Sequence, residues 1–256
     1  MPWNPEVYNR FKDIRFQPFF DLIALINEEE SMKRAIDIGC GTGEQTAILS
    51  NTFPNTFFLG IDASKEMLAK SEILQNQRLH FRQETTEAII SSSEKWDLIF
   101  SNAALQWSDN HRQLFPGLID LLNPKGQFAV QMPVQPDNIL NQILFELVQE
   151  EPFYSYLKGW KRSSPILDLD TYAQLLFDSG LHNIQIMQKV YPIIANDVQE
   201  LFDFISGSSL IPYIERLEDS IQKDFTDTFK KRIARKFPKF PAIYAFKRLL
   251  LYGQKK

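Results

Sequence analysis

The chain has 256 residues, of which 44% are hydrophobic, 23% charged and 13% aromatic, a balance that excludes disordered and fibrous proteins and is long enough to bury a core. Its one cysteine, Cys40, excludes an intrachain disulfide framework and a cysteine-ligated zinc site, and three scattered histidines (His80, His111, His182) give no reason to expect a metal. Net charge is -4, no apolar run approaches the roughly 18 residues of a membrane span, and the opening Met1-Pro-Trp-Asn-Pro-Glu6 lacks a secretory pattern, so a cytoplasmic address and no membrane partner are expected.

In chain order, Arg34–Ile38 is a short apolar, β-branched run that predicts a buried strand. Gly39, Gly41 and Gly43 follow at once, three of only ten glycines, and Glu44 to Asn51 then shows helical spacing through Thr46, Ala47 and Leu49. Thr56–Ile61 predicts a second strand. Ser64 predicts the cap of a helix running to Leu74, with Met67 and Leu68 inward. Leu79–Phe81, Trp96–Phe100 and Gly126–Met132 predict further strands, and Asn110–Leu121 and Ile139–Val148 further helices. Strands and helices that alternate in this way predict an α/β fold, doubly wound, with a mostly parallel sheet covered on both faces.

Beyond Pro152 the rhythm changes. Residues 151–165 are aromatic and irregular, 170–179 read as a helix ending at Gly180, and Ile184–Tyr191 reads as a strand. Residues 197–205 and 211–236 read as largely helical, and Ala242–Tyr252 closes the chain as a strand. From Phe229 to Lys256 there are ten Lys/Arg and no Asp/Glu, against 18 basic and 32 acidic residues before it. A solvated helix face and an edge strand guarded by lysines account for such an end, and the acidic remainder would repel a polyanion, so no nucleic acid is expected. A role for some of these charges toward an anionic substrate or an acidic partner stays open.

The most informative segment is Asp37-Ile-Gly-Cys-Gly-Thr-Gly43. Glycines let the backbone turn tightly after a strand and approach a ligand, and the following helix presents free N–H groups. Asp62, about 20 residues past the first glycine at the end of the second strand, is placed to accept from ribose hydroxyls, which predicts a nucleoside-containing ligand. The G-x-G-x-G spacing is not the dinucleotide pattern, and Asp37 and Glu44 beside the turn would repel a diphosphate. A nucleoside bearing cationic groups and no phosphate, such as S-adenosylmethionine, suits the site better than a nicotinamide dinucleotide.

With these residues the sequence resembles the class I S-adenosylmethionine-dependent methyltransferases, and within that family it is similar to the trans-aconitate methyltransferases over nearly the whole chain. The resemblance rests on Asp37–Gly43, Trp3-Asn-Pro5 with Tyr8, Arg15 with Pro18, Gly60-Ile-Asp62-Ala-Ser64, and Met67-Leu68. It continues in Ser101-Asn-Ala-Ala-Leu-Gln-Trp107 with Asp109 and His111, in Leu122-Asn-Pro124, Val130-Gln-Met-Pro133, Gly207, Pro212-Tyr213, and Phe246-Lys-Arg248. It implies a seven-stranded sheet of the class I methyltransferase fold, with the last strand antiparallel and a helical insertion before it. It also implies an N-terminal helical lid over 1–30, a Rossmann-like cofactor core over 31–150, and a substrate-side insertion with the final strands over 151–256. Cofactor contacts carry over to Arg15 at the carboxylate, to Asp37, Gly39, Gly41 and Gly43 at the methionine part, to Asp62 at the ribose, and to Cys40, Ala63 and Met67. Glu84 and Thr85 carry over to the adenine, and Asn102 to the transferred methyl. The product would be S-adenosylhomocysteine.

The chain departs from that family at three places. Gln83-Glu84 stands where Gly-Asp or Ala-Asp is common, Ile211 where an anion-binding arginine is usual, and Thr171-Tyr172 where paired tyrosines occur. Candidate substrate-side residues are Trp3, Tyr8, Ala103, Trp107, His111, Arg162 and Tyr172. His111 reads equally as a base or positioning group and as a capping histidine, Trp107 as a lid or as core, and Arg162 as a carboxylate clamp or a surface arginine. The expected activity is O-methylation of a carboxylate on a small, trans-aconitate-like acid. The alternatives are an acyl carboxylate on an acidic carrier protein, as in biotin-pathway relatives, and a non-catalytic S-adenosylmethionine-binding protein.

Overall fold

The computed structural model describes residues 12–256, without the side chains of residues 12, 13 and 15. Helix α1 (Lys12–Ile23) leads into β1 (Arg34–Ile38), α2 (Glu44–Thr52), β2 (Phe57–Asp62), a one-turn α3 (Lys65–Leu68) and β3 (Leu79–Gln83). Then come α4 (Thr86–Ile90), β4 (Trp96–Asn102), α5 (His111–Asp120) and β5 (Leu122–Pro133). The later chain forms α6 (Ile139–Leu147), α7 (Phe153–Tyr156), α8 (Leu169–Asp178), β6 (Leu181–Ala195), α9 (Val198–Ser206), α10 (Ile211–Ile214), α11 (Asp219–Lys236) and β7 (Ala242–Lys255).

The seven strands form one open sheet in the order β3-β2-β1-β4-β5-β7-β6. β1 is parallel to both β2 and β4, β2 to β3, and β4 to β5, whereas β7 runs antiparallel to β5. Strand order reverses between β1 and β4, and in open α/β sheets ligands sit outside the carboxyl ends of the strands at such a switch. Because helices cover both faces, the inner strands are apolar throughout: Ala35, Ile36 and Ile38 of β1, and Leu98, Ile99 and Phe100 of β4, are all buried.

Helix starts follow from side-chain caps. Ser64 accepts from Met67 N–H at 3.2 Å, Thr85 from Ala88 N–H, Asp168 from Thr171 N–H and Asp197 from Glu200 N–H. Each such cap contributes about 1 kcal/mol.

Three expectations are corrected. The helix from Ser64 is broken: α3 stops at Leu68 and only a 3₁₀ turn at Glu72–Leu74 follows, with Leu68 buried but Met67 37% exposed. The five-residue α4 was not anticipated, being too short to show a helical period. The strand at the sheet's edge is β6, not the lysine-bearing β7, because β7 lies between β5 and β6. β6 has the alternating exposure of an edge strand along Leu181–Met187, and its Lys189 pairs with Asp21 at 2.6 Å.

The contacts divide the chain into two units. One comprises Pro18–Pro133, Pro165–Lys189 and Arg248–Lys256. It holds the parallel strands, the glycine turn and an aromatic cluster in which Phe115 packs on Phe128, Tyr172 and His111. The other comprises Val134–Ser164 and Val190–Lys247 with the described residues up to Gln17. Its core is built from Leu140, Leu144 and Leu147 of α6, Leu201 and Phe202 of α9, Phe225, Phe229 and Ile233 of α11, and Phe246. No helix among the described residues is long and apolar enough to cross a membrane.

Candidate functional site

The site begins at the end of β1. Gly39, Gly41 and Gly43 have φ of 74°, 57° and 77°, a region that side chains with a Cβ avoid. Space excludes a Cβ as well: at Gly39 it would lie 2.1 Å from the Ala104 Cβ, and at Gly43 2.6 Å from the Phe81 ring. The turn is pinned to β2, since Gly39 and Cys40 N–H both donate to the Ile61 carbonyl at 2.8 and 2.9 Å. Gly41 N–H donates to Asp62 Oδ2 at 2.9 Å, and Ser64 N–H to Asp62 Oδ1 at 2.8 Å. Asp62 therefore ties the glycine turn to the start of α3.

Asp37 is buried one strand away, opposite Gly60 of β2 and Phe100 of β4, and accepts the Thr46 hydroxyl of α2 at 2.6 Å. Burial pushes its carboxyl up to about 7, Thr46 opposes the shift, and the negative charge of Asp62 adds to it. Burial, then Asp37 and Asp62, push the Cys40 thiol well above its usual range, which removes it as a nucleophile at neutral pH. Two carboxylates beside one turn favour a cation and disfavour a phosphate, so the residues fit an adenosyl donor carrying a sulfonium and an ammonium.

At the end of β2 and β3, the Ala63 carbonyl accepts from Gln83 Nε2, and Glu84 N–H donates to the Asp62 carbonyl at 3.1 Å. The Glu84 side chain pairs with Arg82 at 2.6 Å, and Thr85 caps α4. Met67 reaches back to the turn, its Cε 3.3 Å from where a Gly41 Cβ would be. Asn102 ends β4 with Nδ2 donating to Gln45 of α2 at 2.9 Å, while the preceding Ser101 hydroxyl donates to the Ile38 carbonyl.

Beyond Asn102 the chain turns through Ala103 at φ 57° into the 3₁₀ turn Leu105–Trp107. His111, at the start of α5, is buried rather than a surface cap. Its Nε2–H donates to the Leu105 carbonyl at 2.9 Å, which requires that tautomer, and its Nδ1 meets the Tyr172 hydroxyl at 2.6 Å. Burial holds the imidazole below its ordinary pKa despite the backbone bonds that favour the charged form. Neutral, the ring accepts from Tyr172, whose own hydroxyl oxygen accepts Leu167 N–H at 3.4 Å. Burial likewise keeps Tyr172 protonated.

The structure thus gathers Asp37, the glycines, Asp62, Ala63, Met67, Glu84 and Asn102 around the carboxyl ends of β1, β2 and β4. It joins His111 to Tyr172 across 61 positions, and it leaves Trp107 41% exposed. Arg162 belongs to the other unit, where its N–H donates to the Tyr213 hydroxyl at 3.2 Å and where it lines a cavity of about 370 Å³ with Phe145, Val148 and Lys161. Trp3 and Tyr8, and the Arg15 side chain, lie outside what is described. Thr46 and Gln45 were missed. Their only sequence signal is a polar residue on a buried helix face. Among the described residues no group of His, Cys, Asp and Glu is placed to hold a metal.

A family model for a methyltransferase domain matches residues 29–197. A trans-aconitate 2-methyltransferase of Deinococcus radiodurans is 38% identical, covering 98% of this chain and 97% of the relative. One of Variovorax paradoxus is 30% identical over 100% of this chain and 99% of the relative. Among solved structures, the YcgJ protein of Bacillus subtilis superposes with a TM-score of 0.59 at 17% identity, covering 93% of this chain and 97% of that one. The Haemonchus contortus phosphoethanolamine N-methyltransferase 2 bound to S-adenosyl-L-methionine gives 0.55 at 14% identity, covering 93% of this chain and 52% of that one. These distant likenesses bear on the fold. The family match and the full-length relatives show that the chain belongs to the S-adenosylmethionine-dependent methyltransferase family and is an enzyme of methyl transfer.

Proposed function

We propose that this enzyme O-methylates a carboxylate of a small organic acid of the trans-aconitate kind. The observation that carries the reading is the state of His111. Methyl transfer to a hydroxyl or an amine calls for a base to take the proton, whereas a carboxylate is already ionised at neutral pH. His111 is the base candidate closest in sequence to Asn102, and both its ring nitrogens are engaged inside the protein, by Tyr172 and by the Leu105 carbonyl. Its part is that of a positioning residue: it fixes the Leu105–Trp107 turn that follows Asn102. Full-length relatives named for trans-aconitate support the same acceptor class.

When bound, S-adenosylmethionine supplies a methyl group already activated by its sulfonium. Gly39, Cys40, Gly41 and Gly43 would let the backbone approach it. Asp37 would meet its positive end, with Arg15 at its carboxylate. Asp62, Ala63 and Met67 would hold the ribose, and Glu84 and Thr85 the adenine. Asn102 and Ala103 would face the reacting atoms. Trp107 would help to keep water off the acceptor, a task that Trp3 and Tyr8 would share. Orientation of this kind supplies much of the rate of a displacement that needs no proton transfer.

The test is to incubate the protein with methyl-labelled S-adenosylmethionine and a panel of mono-, di- and tricarboxylic acids. A base-labile methyl ester is the expected product. Label found only on hydroxyl or amine acceptors would overturn the reading, and ester formed only on carrier-linked acyl groups would replace the free acid with the carrier-bound one.

A further inference from the structure

Two consecutive residues of α2 each grip a polar group at the end of a strand. Thr46 donates its hydroxyl to Asp37 of β1 at 2.6 Å, and Gln45 Oε1 accepts from Asn102 Nδ2 of β4 at 2.9 Å. β1 and β4 are parallel neighbours, with Asp37 opposite Phe100. Asn102 stands two residues beyond Phe100, and residues two apart on a strand share a face. Asn102 therefore lies on the face of Asp37, level with the start of the glycine turn. Strand order reverses between these two strands, which is the position of the ligand crevice in an open α/β sheet.

The bond between Asn102 and Gln45 is not what fixes the strand end. The Ser101 hydroxyl donates to the Ile38 carbonyl at 2.8 Å, and Ala103 N–H to the Gln131 carbonyl at 2.8 Å. What the bond settles is the direction of the Asn102 amide. With Nδ2 turned to Gln45, Oδ1 is left buried and without a hydrogen-bond partner among the described residues. A buried carbonyl oxygen that lacks a donor is unfavourable, and one beside a ligand crevice calls for an N–H from the ligand. The methyl donor has one such group to spare. Its sulfonium carries no hydrogen on sulfur, its carboxylate only accepts, and its ribose and adenine are assigned to Asp62 and to Glu84 with Thr85. Its α-ammonium brings three N–H groups, more than Asp37 alone engages.

We propose that Gln45 is a positioning residue for the methyl donor: by holding Asn102 Nδ2 it turns Oδ1 into the crevice, where that oxygen accepts from the donor's α-ammonium alongside Asp37. An amide oxygen suffices there, because a hydrogen bond to a charged group is roughly twice as strong as a neutral one. The inference rests on the donor placement proposed above and deepens it. It makes no use of the methyl acceptor, so it stands whichever acid is methylated.

The test is calorimetry without an acceptor, with two probes: S-adenosylhomocysteine, and its desamino analogue with hydrogen in place of the α-ammonium. The readout is the ratio of the two affinities, which isolates the groups that meet the ammonium. Asn102→Ala is expected to lower the wild-type ratio by roughly ten- to a hundredfold, the effect of one hydrogen bond to a charged group. Gln45→Met, similar in size but without the oxygen, is expected to lower it by about tenfold. Gln45→Glu is the rescue: a carboxylate only accepts, so it holds Nδ2 in the same way, and the ratio is expected to stay near the wild-type value. Two results would overturn the positioning role: a Gln45→Met protein that binds both probes more weakly at an unchanged ratio, or a Gln45→Glu protein that loses the ratio as Gln45→Met does. An unchanged ratio in Asn102→Ala would overturn the ammonium contact itself and the donor placement at the end of β4. The carboxylate reading fails separately, on the identity of the methylated product, with these ratios as expected.

Discussion

Donor binding should depend on pH through Asp37. Its carboxyl is pushed from 3.8 up to about 7 by burial, so in the folded chain it keeps a proton that the unfolded chain has lost. Pairing with the donor's cation requires the charged form, and below about pH 7.7 an α-ammonium stays protonated, so the titration seen there belongs to the protein. Donor affinity is then expected to fall about tenfold for each pH unit below about 6, with close to one proton released per donor bound. The sign for stability is opposite. A raised carboxyl favours the folded state at low pH, and this contribution is lost as pH rises from about 4 to about 7, by about 4 kcal/mol at most. The assay is calorimetric titration of S-adenosylmethionine, without an acceptor, between pH 5 and 7.5 in two buffers of different ionisation enthalpy, for the wild type and for Asp37→Asn. In Asp37→Asn the pH dependence should vanish, with affinity low throughout. A wild-type affinity that is flat with pH, with no proton exchanged, would refute the placement of the donor's cation at Asp37.

Three further outcomes follow from the same geometry. Gly39→Ala forces a Cβ to within 2.1 Å of Ala104 at a φ of 74°, and is expected to cost about 2–4 kcal/mol of stability, read as a lower thermal midpoint; an unchanged midpoint would mean the turn is not as tight as described. Asp62→Ala removes the acceptor for both Gly41 and Ser64 N–H and the group assigned to the ribose, and should weaken S-adenosylhomocysteine binding by about 1–3 kcal/mol in calorimetry; full affinity would move the ribose elsewhere. Tyr172→Phe leaves His111 Nδ1 without its donor and should lower stability by about 1–3 kcal/mol in denaturant titration while S-adenosylhomocysteine affinity holds; no change would dissolve the clamp on the Leu105–Trp107 turn.

What the sequence determined by itself is local. The β-branched run at Arg34–Ile38, the three close glycines and the helical spacing after them state strand, turn and helix, because φ > 0 and close backbone approach demand glycine whatever surrounds them. Asp62 could be placed at a strand end for the same reason, and alternation over the following hundred residues implied a doubly wound sheet. Pairings distant in sequence were decided only by tertiary structure. Helices shorter than two turns, such as α4, leave no period to read. The position of β7 inside the sheet depends on which strand finds β5, and no local pattern encodes that choice. Likewise, His111 took its neutral state from burial and its hydroxyl partner from Tyr172, 61 residues on. Solvation and hydrogen-bond partners set the chemistry of a polar side chain, and only the folded chain brings those partners within reach.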